Sequence, residues 1–183
     1  MSLSDKKKQE IFEYYSENGF QHSTEQIVNK LNICHKTFFN RYGSKSKSVE
    51  IAWEYWQKIC YSKWTTLMEY CNHSVEELAM TCFSIEQTRQ SEPHYYKYTR
   101  DNRKYLETNS FFHKALVTTL KKGIKSFHII ENLNIEVYVA FLLNNIFLVD
   151  TEHDKKPYIL RYILQPALTE RGMELMRELP LSW

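Results

Sequence analysis

Apolar residues over the first fifty positions recur at helical spacing in three short bursts. Ile11, Phe12 and Tyr15 mark the first, and Asn18-Gly19 followed by Phe20 stops it, which predicts a helix over about 5–18. Ser23-Thr24-Glu25-Gln26 fits a capping box with Ser23 as N-cap, and Ile27, Val28 and Leu31 then form the apolar face of a helix barely two turns long. Asn32 can take the left-handed conformation that a tight interhelical turn requires, with Ile33 as an apolar plug behind it. The third burst runs from His35 to about Tyr42. Phe38 and Tyr42, four apart, face inward and turn His35, Lys36, Thr37, Phe39, Asn40 and Arg41 outward. Gly43 ends this helix, and Ser44 caps a long fourth one over about 45–71 that carries Trp53, Trp56, Ile59, Cys60, Trp64 and Leu67.

The rest of the pattern stays helical. Ser74 with Glu77 predicts the next cap, Pro93 opens another helix, Asn109 starts a further one, and Asn134 caps a helix through Leu148. A last helix begins near Pro157, with Pro166 inside it or splitting it, because proline removes a ladder hydrogen bond and crowds the preceding turn. The chain of 183 residues has only four glycines and four prolines, and almost all of them fall between periodic stretches. The fold class is therefore all-α: a three-helix module over 1–48, then a larger helical domain over 49–183.

Hydrophobic residues make up 43% of the chain, enough to build a core and to set it apart from disordered sequences. The most apolar run, Ile135 to Val149, is broken by Glu136, Asn144 and Asn145 and is too short for a bilayer. With a polar N-terminus lacking a secretory core, a soluble cytoplasmic protein is expected. Cys34, Cys60, Cys71 and Cys82 form no CxxC pair and read as free thiols; Cys71 with His73 supplies too few ligands for a metal. The net charge is only +2, but Gln26 to Val49 holds Lys30, Lys36, Arg41, Lys45 and Lys47 and no acid. A solvated surface accounts for such a cluster, as does the footprint of a phosphate backbone.

Order and spacing favour the second account. A two-turn helix, a left-handed turn and a short helix basic and polar on its outer face make a helix-turn-helix, whose second helix enters the major groove. Lysine at the N-terminus of the fourth helix stands among unsatisfied backbone N–H groups, and both attract a phosphate.

Ile27-Val28, Asn32-Ile33, Thr37-Phe38-Phe39, Tyr42 and Ser44-Lys45 resemble the DNA-binding module of the TetR family of transcriptional regulators over about residues 11–49. The resemblance implies that Thr37 and Phe39 contact the DNA backbone, that Lys45 binds a phosphate, and that His35, Lys36, Asn40 and Arg41 face base edges. Ser23 and Thr24 at the start of the second helix join that set. It also implies a helical effector domain whose last two long helices pair in a homodimer.

Aromatic residues are 15% of the chain, and Phe83, Tyr95, Tyr96, Tyr98, Tyr105, Phe111 and Phe112 concentrate where the family keeps its effector cavity. Tyrosine offers an apolar wall with a polar tip, so Trp64, Phe83, Tyr95, Tyr98, Tyr105 and Phe112 are the candidate lining of a small-molecule site; core packing is the alternative. His94, His113 and His128 have no nucleophile or carboxylate at telling spacing, which argues against an enzyme. Tyr138, Phe141, Leu142 and Ile146 mark one apolar stripe and Ile159, Tyr162 and Ile163 another, the candidate dimer surface.

Two classes of function fit. One is a homodimeric, ligand-responsive regulator, a repressor by resemblance, with a palindromic DNA operator and an unknown small-molecule effector but no cofactor. The other is a helical small-molecule-binding protein or enzyme with a vestigial DNA-binding module.

Overall fold

A computed structural model describes residues 4–106, 110–148 and 156–179. Ten α-helices appear among them: α1 (Asp5–Asn18), α2 (Thr24–Lys30), α3 (His35–Tyr42), α4 (Lys45–Met68), α5 (Ser74–Ser91), α6 (Pro93–Asp101), α7 (Phe111–Lys125), α8 (Ile135–Leu148), α9 (Lys156–Leu164) and α10 (Glu170–Glu178). The only extended pairing among the described residues is a single bridge between Ile129 and Leu168.

Local chemistry explains the early boundaries. Ser23 accepts from the Gln26 N–H while the Gln26 side chain accepts from the Ser23 N–H, which completes the capping box of α2. Asn32 has φ 51°, and the Ile33 N–H reaches back to the Val28 carbonyl at 3.0 Å. Gly43 closes α3 at φ 78°, and the Ser44 hydroxyl accepts from the Lys47 N–H to cap α4.

Later boundaries depart from expectation. His73, not Ser74, caps α5: its ring Nδ1 accepts from the Glu76 N–H at 3.1 Å. That frees the Ser74 hydroxyl to bond the His128 ring at 2.8 Å. Asn109 lies outside the described residues; Ser110 caps α7 by accepting from the His113 N–H. Pro166 divides the last helix, since a 3₁₀ turn over Gln165–Ala167 separates α9 from α10. Gly123 and Gly172 sit inside α7 and α10 rather than between helices. A Cβ on Gly123 would collide with the Ile129 side chain, and one on Gly172 with the His128 carbonyl, so both glycines serve close packing.

The aromatic surplus is mostly core. Trp56, Tyr95 and Phe112, each 1% exposed or less, stand together: Trp56 and Tyr95 have ring centroids 5.2 Å apart, Trp56 and Phe112 5.4 Å. Tyr95 also meets Phe12 of α1 and Phe20 of the α1–α2 turn. One buried aromatic block thus joins α1 and the α1–α2 turn to α4, α6 and α7, and burial of each large side chain contributes about 1.5–3 kcal/mol.

Candidate nucleic-acid interface and effector pockets

On α3 the buried pair Phe38 and Tyr42 points to the core, which leaves His35, Lys36, Phe39 and Asn40 exposed and Thr37 half-buried. Phe39 keeps 48% of its surface open. Lys30, Lys36 and Lys45 pair with no acid among the described residues, so their charges are available. Ser23 is exposed and Thr24 half-buried at the start of α2.

Arg41 is placed differently from the rest. Its Nη1 lies 3.2 Å from the Glu10 carboxylate of α1, and the Tyr42 hydroxyl donates to the same Glu10 oxygen at 2.8 Å. The guanidinium is drawn to the flank of α3 instead of standing among the outward side chains. Cys34, standing where a hydroxyl cap is usual, gives α3 no side-chain cap, and its thiol instead lies 3.2 Å from the Thr37 hydroxyl. That hydroxyl and neighbouring backbone N–H groups hold the thiol pKa below its ordinary value.

Two concavities flank α4 and share Trp64 and Phe111 as walls. The α4–α7 groove encloses about 480 Å³ and includes Trp53, Gln57, Tyr61 and Lys114 in its lining. The α4–α5 cavity encloses about 320 Å³ between residues such as Trp56, Cys60, Met80, Phe83 and Thr88. Both volumes suit a small organic molecule.

Of the six candidate lining residues, Trp64 and Phe83 reach these spaces. Tyr95 and Phe112 are core, and Tyr95 spends its hydroxyl on the Phe12 carbonyl at 3.1 Å. Tyr98 and Tyr105 pack away from both spaces, Tyr98 stacked on Phe20 and Tyr105 against Trp53. Sequence reasoning missed Gln57, whose Oε1 accepts from the Phe111 N–H at 2.7 Å while its Nε2 has no partner among the described residues. A buried donor left unpaired costs about 1–3 kcal/mol.

The candidate dimer stripes divide as well. Tyr138, Leu142 and Ile146 are buried within the single chain, and the Tyr138 hydroxyl donates to the Ile163 carbonyl at 2.6 Å. Their helical spacing is real, but it serves the packing of α8 on α5, α7 and α9. Ile159 is half-buried, whereas Phe141 and Tyr162 are 42% and 73% exposed, with Val137 exposed beside them.

No family model matches the chain. Nor does any curated protein. Among solved structures it is similar to the ketosteroid transcriptional regulator KstR2 of Mycobacterium tuberculosis, at 13% identity and a TM-score of 0.63, over 91% of this chain and 97% of that one. No described helix is long and apolar enough to cross a membrane. The chain therefore shares the all-α fold of that transcriptional regulator.

Proposed function

We propose that the protein is a homodimeric transcriptional regulator, acting as a repressor, that releases a palindromic operator when a small molecule enters the pockets beside α4. The observation that carries this reading is the outer face of α3, where exposed Lys36, Phe39 and Asn40 and half-buried Thr37 stand with Lys30 and Lys45, which pair with no acid among the described residues. Backbone phosphates take Lys45 and the N–H groups at the start of α4, and base edges take Lys36 and Asn40. Residues 1–48 act as the reading head and 49–183 as the sensing and pairing part.

The aromatic block supports coupling between the two. Trp56 and Trp53 border the pockets; Trp56 packs on Tyr95, and Tyr95 holds the Phe12 carbonyl of α1. A ligand that shifts α4 against α6 moves α1, and the Glu10–Arg41 pair carries the displacement to α3. Coupling of this kind is reciprocal, so operator DNA must weaken effector binding by the same factor.

The test is fluorescence anisotropy with duplex DNA flanking the protein's own coding region, over a salt series. A regulator binds one inverted repeat, with affinity falling steeply as salt rises because phosphate contacts release counterions. A helical binding protein with a vestigial module shows no sequence preference, and that outcome defeats the proposal.

A further inference from the structure

The regulator reading leaves the amide of Gln57 unused. Gln57 is 8% exposed and lines the α4–α7 groove. Its orientation is fixed, because exchanging the amide oxygen and nitrogen would set two donors face to face at the Phe111 N–H. The nitrogen is thus held as a donor, closed to solvent and without an acceptor among the described residues.

The groove around it has a definite chemical character. Trp53, Tyr61, Trp64 and Phe111 give it flat aromatic walls, and Lys58 and Lys114 stand at its edge against the single carboxylate of Glu54. Lys114 is exposed and pairs with no acid among the described residues. Among the described residues Lys58 reaches only Asp5, at 3.9 Å across a well-exposed gap, a contact of little strength. In the α4–α5 cavity, by contrast, Lys63 is balanced by Glu92, and no buried polar atom there lacks a partner among the described residues.

We infer that the α4–α7 groove binds a flat, apolar organic anion. Its ring body lies between the aromatic walls, a small displacement of the Gln57 side chain opens Nε2 to donate to one oxygen of its carboxylate or sulfonate, and Lys58 and Lys114 neutralise its charge. This rests on reading the spaces beside α4 as an effector site, and it names the chemistry of the effector.

The full-length protein is titrated with 8-anilinonaphthalene-1-sulfonate and with N-phenyl-1-naphthylamine, which keeps the ring body and lacks the sulfonate. Binding is followed by energy transfer from the tryptophans. The expected result is one sulfonate probe per chain, bound roughly tenfold more tightly than the neutral probe, with the preference shrinking as salt rises. Gln57→Glu keeps an acceptor for the Phe111 N–H and replaces the donor with a second acceptor. It is expected to weaken the sulfonate probe roughly tenfold and to leave the neutral one nearly unchanged. Lys114→Ala, on the exposed side of α7, is expected to weaken the sulfonate probe several-fold and to lower its salt dependence.

Equal affinity for the two probes overturns the inference, as does sulfonate binding unmoved in both variants. If Gln57→Glu does not fold by circular dichroism, Lys114→Ala and the probe pair decide. Sulfonate binding without any change in operator affinity defeats the regulator reading and leaves the anion site standing. Operator release by neutral compounds, with the sulfonate probe excluded, does the reverse.

Discussion

Lys36 and Asn40 stand at the centre of the exposed face of α3, opposite Phe38 and Tyr42. Lys36→Ala is expected to lower operator affinity by roughly 1–3 kcal/mol and leave scrambled DNA nearly unaffected, because a lost base contact removes discrimination. Lys45→Ala should instead weaken both duplexes alike and reduce the salt slope by about one. Anisotropy with paired operator and scrambled duplexes separates the two, and equal losses for both variants would misplace the reading face. Cysteine reactivity follows environment just as closely. Cys34 is exposed with its thiol pKa lowered by the Thr37 hydroxyl, whereas burial pushes Cys60 and Cys82 up to about 12. Limiting iodoacetamide at neutral pH is expected to alkylate Cys34 first, as read by peptide mass spectrometry, and comparable labelling of Cys82 would contradict its burial.

Helix ends and helix contacts fail differently when altered. Ser23→Ala removes one arm of the α2 capping box and keeps the other, since the Gln26 side chain still accepts from the residue-23 N–H, so a loss of about 1 kcal/mol is expected. Gly123→Ala adds a methyl where the Ile129 side chain already lies. The buried loop and α10 behind it must shift, and overpacking of this kind costs about 1–3 kcal/mol despite alanine's better helix propensity. Urea unfolding of the two variants ranks them, and a stabilised Gly123→Ala would show that α7 and the 128–130 loop are not in firm contact.

For the whole molecule the open questions are pairing and pH. Phe141 and Tyr162 carry the exposed apolar surface that the buried Tyr138, Leu142 and Ile146 do not. Aspartate at both positions is expected to give a monomer that keeps its helical content and loses operator binding; wild-type protein that scatters light as a monomer at micromolar concentration defeats the dimer. His128 bridges α5, α7 and α10, its ring held by Ser74 and Ser126 and its carbonyl by the Thr169 N–H. Burial, then the charges of Arg171 and His73, hold its pKa below the ordinary value. The unfolded chain therefore takes up this proton first as pH falls, so the contribution is whole above about pH 6.5 and declines below it until the folded-state pKa is passed. Thermal melts from pH 7.5 to 5 should show that decline, and His128→Asn should flatten it. An unchanged slope would assign it elsewhere.

The sequence by itself determined what depends on neighbours along the chain. Caps, turn residues and helical spacing act within four or five positions, so α1, α2 and α3 and their junctions stand where Ser23, Asn32, Gly43 and Ser44 place them. The outward face of α3 was legible for the same reason, because Phe38 and Tyr42 set its rotation. Tertiary structure alone decided which of several equivalent apolar or polar side chains meets a distant partner. Tyr95 and Phe112 have the composition of a pocket wall, yet they fill the core because Trp56, Phe12 and Phe20 close around Tyr95, and Trp56 and Phe147 around Phe112. Arg41 has the address of a base reader, yet Glu10, thirty-one positions earlier, draws it aside. His73 takes the cap expected of Ser74, and the freed serine hydroxyl meets His128, fifty-four positions on. Gln57 gave no local signal, since its meaning depends on the Phe111 N–H that fixes its amide and on the groove that leaves its nitrogen without an acceptor.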